Sequence, residues 1–224
     1  MYSWTVIVRR FDGSGDYNRS WAEYKSGFGD AGGEAWLGNE YLHYLTNNRF
    51  ACNCSHWLLS CIIHRHSEQC DPSFIAMTTN CCRIYKLRID VEDWDGNTAY
   101  AEYSSFRVTS EADKYRLLLG DYRGNASADA SEDSLQGFLY HNNQQFTTYD
   151  QDNDAYSDNC ITHHNFEFGG FWYNSCTRVT PTNTYCPVSN CGLYYLHIRY
   201  QSWRMDIGTY SLKKIKLMMR PTTY

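Results

Sequence analysis

Lys86-Leu87-Arg88-Ile89-Asp90-Val91-Glu92, then Asp95-Gly96-Asn97, then Tyr100 to Val108, predicts two antiparallel strands joined by a turn. Leu87, Ile89 and Val91 fall on one side of an extended chain, and Lys86, Arg88, Asp90 and Glu92 on the other. A period of two is that of a strand with one buried face and one wet face. Asp95-Gly96-Asn97 carries the turn chemistry that reverses it. The same period returns near the end, where Ile215, Leu217 and Met219 alternate with Lys214 and Lys216. At the other end Trp4 to Arg9 is rich in β-branched residues and reads as a strand, ended by the turn Asp12-Gly13-Ser14-Gly15. Two short helices interrupt the strands. Ser20 caps one over Trp21 to Ser26, stopped by Gly27, and the other covers Glu40 to Thr46 with Tyr41, Leu42 and Leu45 on its apolar face. Many strands with few short helices predict an α+β fold on a central antiparallel sheet.

The chain has 224 residues and shows no internal repeat, low-complexity tract or linker, so residues 1–224 read as one folded unit. Net charge is −5, and Lys and Arg are scattered without a basic block, which argues against nucleic acid as the main partner. No apolar run approaches the roughly 20 residues that cross a bilayer, and no signal peptide is legible at the amino terminus. Ten cysteines, an even number, suit an oxidising compartment. The sequons at Asn18, Asn53 and Asn125 agree, and together they predict a secreted, extracellular glycoprotein.

Asp150, Asp152, Asp154 and Asp158 crowd four carboxylates into nine residues. They repel one another unless solvated or bridged by a hard, oxygen-liganded cation. An EF-hand is excluded, because Ala155 stands at the turn-glycine position and Ile161 at the bidentate-glutamate position. An acidic surface turn is the plainer alternative.

The order of motifs resembles the fibrinogen C-terminal domain family of ficolins, tachylectins, angiopoietins, tenascins and fibrinogen. The resemblance rests on Trp4-Thr5-Val6-Ile7-Val8-Arg9-Arg10-Phe11-Asp12-Gly13, Gly33-Glu34-Ala35-Trp36-Leu37-Gly38-Asn39-Glu40, Glu92-Asp93-Trp94-Asp95-Gly96-Asn97, His141-Asn142, Asp150 to Cys160 and Gly169 to Cys176. It implies short helices flanking the sheet and a loop-rich calcium and ligand subdomain. It also implies calcium held by the side chains of Asp152 and Asp154 and the carbonyls of Tyr156 and Asp158. A Cys160–Cys176 disulfide and a cis peptide at Ser175-Cys176 are further implications. The ligand site then comprises Ser175, the amides of Cys176 and Thr177, and the aromatic walls Phe168 and Tyr173, with Phe166 an alternative to Phe168. For Phe171 and Trp172 core packing is the better reading.

The chain departs from the family pattern in several places. It starts at Met1 without the cysteine-paired subdomain that usually precedes the tryptophan equivalent to Trp4. Residues 51–82 form a cysteine-rich insertion carrying Cys52, Cys54, Cys61, Cys70, Cys81 and Cys82, which allow 15 pairings. With His56, His64 and His66 a zinc site is conceivable there, but disulfides suit secretion better. Residues 177–191 form a second insertion, in which the spacing of Cys186 and Cys191 permits a small disulfide. Thr177 stands where the family commonly has histidine, and Gly192 to Trp203 is short.

No Gly-x-Ser-x-Gly, phosphate-loop or His-Glu-x-x-His motif is present, so no enzyme is expected and no catalytic residue is assigned. The resemblance implies a calcium-dependent lectin of innate recognition for N-acetylated or otherwise acetylated glycans, oligomeric in the full-length protein because clustering adds avidity. The alternative is an extracellular matrix or receptor-binding domain with structural calcium and a cell-surface or matrix protein as partner.

Overall fold

The alternation over Lys86–Glu92 becomes a strand in which every second side chain from Tyr85 is buried. The structure, a computed structural model, describes residues 3–47, 84–126, 137–163, 168–191, 198, 200, 203 and 210–222. The 51–82 insertion, with its cysteines and histidines, and Phe166 lie outside the described residues, as does Asn53. The elements run β1 (Thr5–Arg10), α1 (Trp21–Ser26), β2 (Phe28–Gly29), β3 (Ala35–Trp36), α2 (Asn39–Asn47), β4 (Tyr85–Glu92), β5 (Thr98–Val108), β6 (Leu117–Leu119), β7 (Tyr122–Gly124) and β8 (Lys214–Pro221). One sheet holds all eight strands in the order β2-β3-β1-β8-β4-β5-β6, with β7 also paired to β5. Every described pairing is antiparallel. No described helix is long and apolar enough to cross a membrane.

The hairpin is built by Asp93. Its buried carboxylate accepts the amides of Asp95 at 3.0 Å and Asn97 at 2.8 Å, and Gly96 takes φ +85° at the bend. β4 and β5 then align Leu87, Ile89 and Val91 opposite Tyr103, Ala101 and Ala99, all buried. Helix α1 starts in a capping box, with Ser20 and Glu23 exchanging side-chain and backbone bonds, and stops at Gly27 at φ +87°. Helix α2 is fastened to β5 by Thr46, whose hydroxyl accepts the Val108 amide at 3.1 Å and donates to the Leu42 carbonyl at 2.7 Å. Leu42 is buried, but Tyr41 is exposed, which corrects its expected place on the apolar face. The residue one step along a helix is turned by about 100°, and Leu42 took the inward position.

An aromatic layer joins the sheet to the segments that follow it. The rings of Trp36 and Trp172 lie 5.9 Å apart, and Phe146 packs 5.6 Å from the first and 5.3 Å from the second. Tyr24 of α1 closes the layer 5.3 Å from Trp36. Residues 137–163 and 168–180 therefore stand on the core of the sheet.

Candidate functional site

The acidic loop and the segment after Gly169 are tied at their roots. A disulfide joins Cys160 to Cys176 with Cα atoms 5.6 Å apart, and the Ala155 amide donates to the Asn174 carbonyl at 3.2 Å. A second disulfide joins Cys186 to Cys191 and staples the exposed turn Pro187 to Asn190.

Within the loop the four aspartates have different employment. Asp150 reaches across 129 residues to accept the Trp21 amide at 2.9 Å, while its same oxygen takes the Thr148 hydroxyl at 2.7 Å. It thus satisfies an orphan donor at the start of α1, and Asp150→Ala is expected to cost about 1 kcal/mol in a denaturant titration. Asp158 turns its carboxylate to His163 Nδ1 at 2.9 Å. Asp152 is exposed and Asp154 half-buried, and the Asp154 amide donates to Asp152 Oδ1 at 3.2 Å. Asp154 accepts the amides of Tyr156 and Cys160, each at 3.0 Å. Burial pushes the Asp154 carboxyl up to about 6 against the lowering effect of those amides, with a further push from the charge of Asp152.

Two neighbouring carboxylates, one of them partly desolvated, make a donor set that fits a cation. Among the described residues no three His, Cys, Asp or Glu side chains gather as a metal cluster, so an ion here relies on two carboxylates and backbone carbonyls. An all-oxygen set suits calcium and not a thiophilic metal.

The segment after Gly169 is anchored by His141, which the sequence offered as part of the family motif His141-Asn142 but without a role. It lies fully buried in the 3-10 turn Phe138–His141, with Nδ1 2.7 Å from the Trp172 carbonyl. Nδ1 must therefore donate, which leaves Nε2 to accept the amides of Arg178 and Val179, each at 3.2 Å. The Trp172 indole donates to the Tyr115 carbonyl at 2.7 Å. These bonds fix the backbone on both sides of Ser175-Cys176, whose peptide is cis.

The expected side-chain walls are not at the surface. Phe168 is buried in the core, and Tyr173 is fully buried with its hydroxyl donated to the Gly169 carbonyl at 2.7 Å. Burial pushes the Tyr173 hydroxyl well above its ordinary pKa. Thr177 is also buried and spends its hydroxyl on the Val179 carbonyl at 2.8 Å. The Phe168 and Tyr173 side chains are thus packed in the core and are not exposed as pocket walls, while burial of the Thr177 hydroxyl leaves the expected role of its amide as it was. Ser175 remains exposed and Cys176 half-buried. Beside them Tyr140 donates its hydroxyl to the Ser175 carbonyl at 2.7 Å, and the Arg178 guanidinium lies 5.3 Å from the Tyr140 ring centroid. Neither Tyr140 nor Arg178 carries a local pattern that would mark it, since only the fold brings position 140 beside 175–178. Tyr140→Phe is expected to cost about 1 kcal/mol, read by urea denaturation.

A family profile described as "Fibrinogen beta and gamma chains, C-terminal globular domain" matches residues 2–53 and 74–222. The chain belongs to the fibrinogen C-terminal domain family. This fibrinogen-like domain is 36% identical over 224 residues to angiopoietin-related protein 2 of Homo sapiens, covering 97% of this chain and 35% of that protein. It is 35% identical over 221 residues to human angiopoietin-related protein 7, covering 99% of this chain and 50% of that protein. The chain thus spans between a third and a half of the length of these relatives. Among solved structures, the fibrinogen-like globe domain of human ANGPTL2 superposes with a TM-score of 0.73 at 35% identity, covering 98% of this chain and 81% of that one. Lamprey fibrin D-dimer, complexed with the peptide Gly-His-Arg-Pro-amide, superposes at 0.68 with 27% identity, covering 99% and 63%.

Proposed function

We propose that this fibrinogen-like domain is a protein-binding module of a secreted, extracellular factor, with calcium as a structural ion held by Asp152, Asp154 and the carbonyls of Tyr156 and Asp158. One observation carries the protein-binding reading. Phe168 and Tyr173, the aromatic walls an acetyl pocket would use, are buried, whereas Tyr140, Ser175 and Arg178 stand together at the accessible end of the site. A tyrosine held by a hydrogen bond beside a stacked arginine is the kind of surface that dominates protein contacts. Similarity to angiopoietin-related proteins, and a relative solved with a peptide ligand, support the same reading over the lectin. The two disulfides support the extracellular setting. The ion supplies a counter-charge that lets the two aspartates sit side by side, and the Cys160–Cys176 bridge carries that order to Ser175.

The test is binding of the labelled chain to cells. It should saturate, resist competition by free N-acetylglucosamine, and weaken about tenfold when Tyr140→Ala and Arg178→Ala are combined, roughly 1.4 kcal/mol. Competition by the sugar, or an undiminished double variant, would return the lectin reading.

A further inference from the structure

Lysines and arginines are scattered along the chain, yet the sheet gathers them on the face turned away from the core. Arg9 of β1 stands opposite Lys216 of β8, which stands opposite Asp90 of β4. One step along, Lys214 faces Glu92. At the other end Lys86 faces Arg220, and the Trp4 ring lies 5.4 Å from the first and 4.6 Å from the second. Arg88 faces Glu102 of β5, which Arg123 of β7 also reaches at 2.7 Å. The seven cations and three carboxylates of this group sum to 7 − 3 = +4 on a chain whose formal charge is −5. The rest of the sequence sums to −5 − 4 = −9, so this group is a local positive patch on an acidic chain, which favours a polyanion as its occupant.

The three carboxylates hold the cations in place without cancelling them. Glu102 is shared by Lys86 at 3.2 Å, Arg88 at 3.0 Å and Arg123, while Asp90 takes Arg88 at 2.7 Å and Glu92 takes Lys214 at 2.8 Å. Between them runs a groove of about 510 Å³ whose lining includes Arg88, Lys214 and Lys216, the carboxylates Asp90 and Glu92, and the sequon residue Asn125, whose Oδ1 accepts the Tyr100 amide at 2.8 Å. Arg88 lies 4.4 Å from the Tyr100 ring centroid, giving the groove one flat wall. Lys214, Lys216 and Arg123 keep 46%, 39% and 73% of their side chains exposed.

We propose that this outer face of the sheet binds a sulfated polysaccharide, with Lys214, Lys216 and Arg123 as its sulfate contacts and Arg9, whose guanidinium donates to the Gly33 and Ala31 carbonyls, adding charge beside them. A chain of repeating anions can follow the ladder of cations, which no single small anion would occupy. The two disulfides suit an oxidising, extracellular setting, in which a polysaccharide is the polyanion to test first.

Heparin is the probe. The chain should be retained on immobilised heparin at about 0.15 M salt and released as added salt screens the contact. Heparin stripped of its sulfates, and hyaluronan, which carries carboxylates alone, should not retain it. Combining Lys214→Ala, Lys216→Ala and Arg123→Ala should weaken binding at least about tenfold with the melting curve kept. Lys214→Gln alone, the mildest change, should weaken it about twofold to threefold. The double variant at Tyr140 and Arg178 should bind heparin normally, which separates this surface from the protein-binding one. Absence of retention, wild-type binding by the triple variant, or equal affinity for desulfated heparin, single-stranded DNA or phosphatidylserine vesicles would each overturn the proposal.

Discussion

Glu34→Ala is expected to cost about 3–5 kcal/mol, the loss that follows removal of one partner from a buried ion pair, and to lower the melting temperature by about 10 °C or more. The Glu34 carboxylate is buried between β1 and the turn that follows it. Its Oε1 accepts the amides of Phe11 at 2.6 Å, Asp12 at 3.0 Å and Gly13 at 3.0 Å, and its Oε2 accepts Gly15 at 3.1 Å and Arg10 Nε at 2.8 Å. Alanine would leave four amides and a buried guanidinium without their acceptor. Arg10 also donates to the carbonyls of Pro181 and Asn183 at 3.0 and 2.7 Å, so the loss would spread to the chain that follows the candidate site.

The same residue gives the domain an acid limit. Burial pushes the Glu34 carboxyl up, but the Arg10 charge and the amides of Asp12, Phe11 and Gly13 outweigh it and leave the group below its ordinary 4.5. A carboxylate lowered by folding contributes stability that is present above the unfolded value and lost as pH falls through the folded one. Urea titrations at pH 7 and in the range below about 4.5 should therefore show wild type losing an increment that Glu34→Gln never had.

How far the sequence could be read depended on whether the signal was local. Lys86–Glu92 carries seven residues of unbroken alternation, and β4 runs Tyr85–Glu92. Ser20 and Glu23 lie three apart and Gly27 follows, so α1 was legible to the residue. Strands β2 and β3 have two residues each and β6 and β7 three, too short for any period to show. They form because neighbours already in the sheet offer them edges. Glu34 reads as one acid among glycines, since its five donors come from residues 19 to 24 positions earlier. In the site, a threonine and two aromatic residues are equally suited to a pocket wall and to a core. Only packing decides, and it took Phe168, Tyr173 and Thr177 inward.

Removal of the proposed calcium ion is expected to give the second large effect. An ion in hundredfold excess over its dissociation constant stabilises the folded chain by about 2.7 kcal/mol, so chelator should lower the wild-type melting temperature by about 5 to 10 °C. Combining Asp152→Ala with Asp154→Ala should abolish that response. The double variant is also expected to be weaker without calcium, because the amides of Tyr156 and Cys160 lose the Asp154 carboxylate that accepts them. That cost is what a purely structural acidic turn would show, so it cannot alone identify an ion site. Asp152→Asn separates the two. It keeps an acceptor for the Asp154 amide and removes the charge that presses on Asp154. In chelator it should therefore be at least as stable as wild type, and in calcium less stable, because one charged ligand has gone. A reversal of rank between the two buffers requires a cation bound at these carboxylates. Wild type and Asp152→Asn keeping one order in both would reject calcium at this loop.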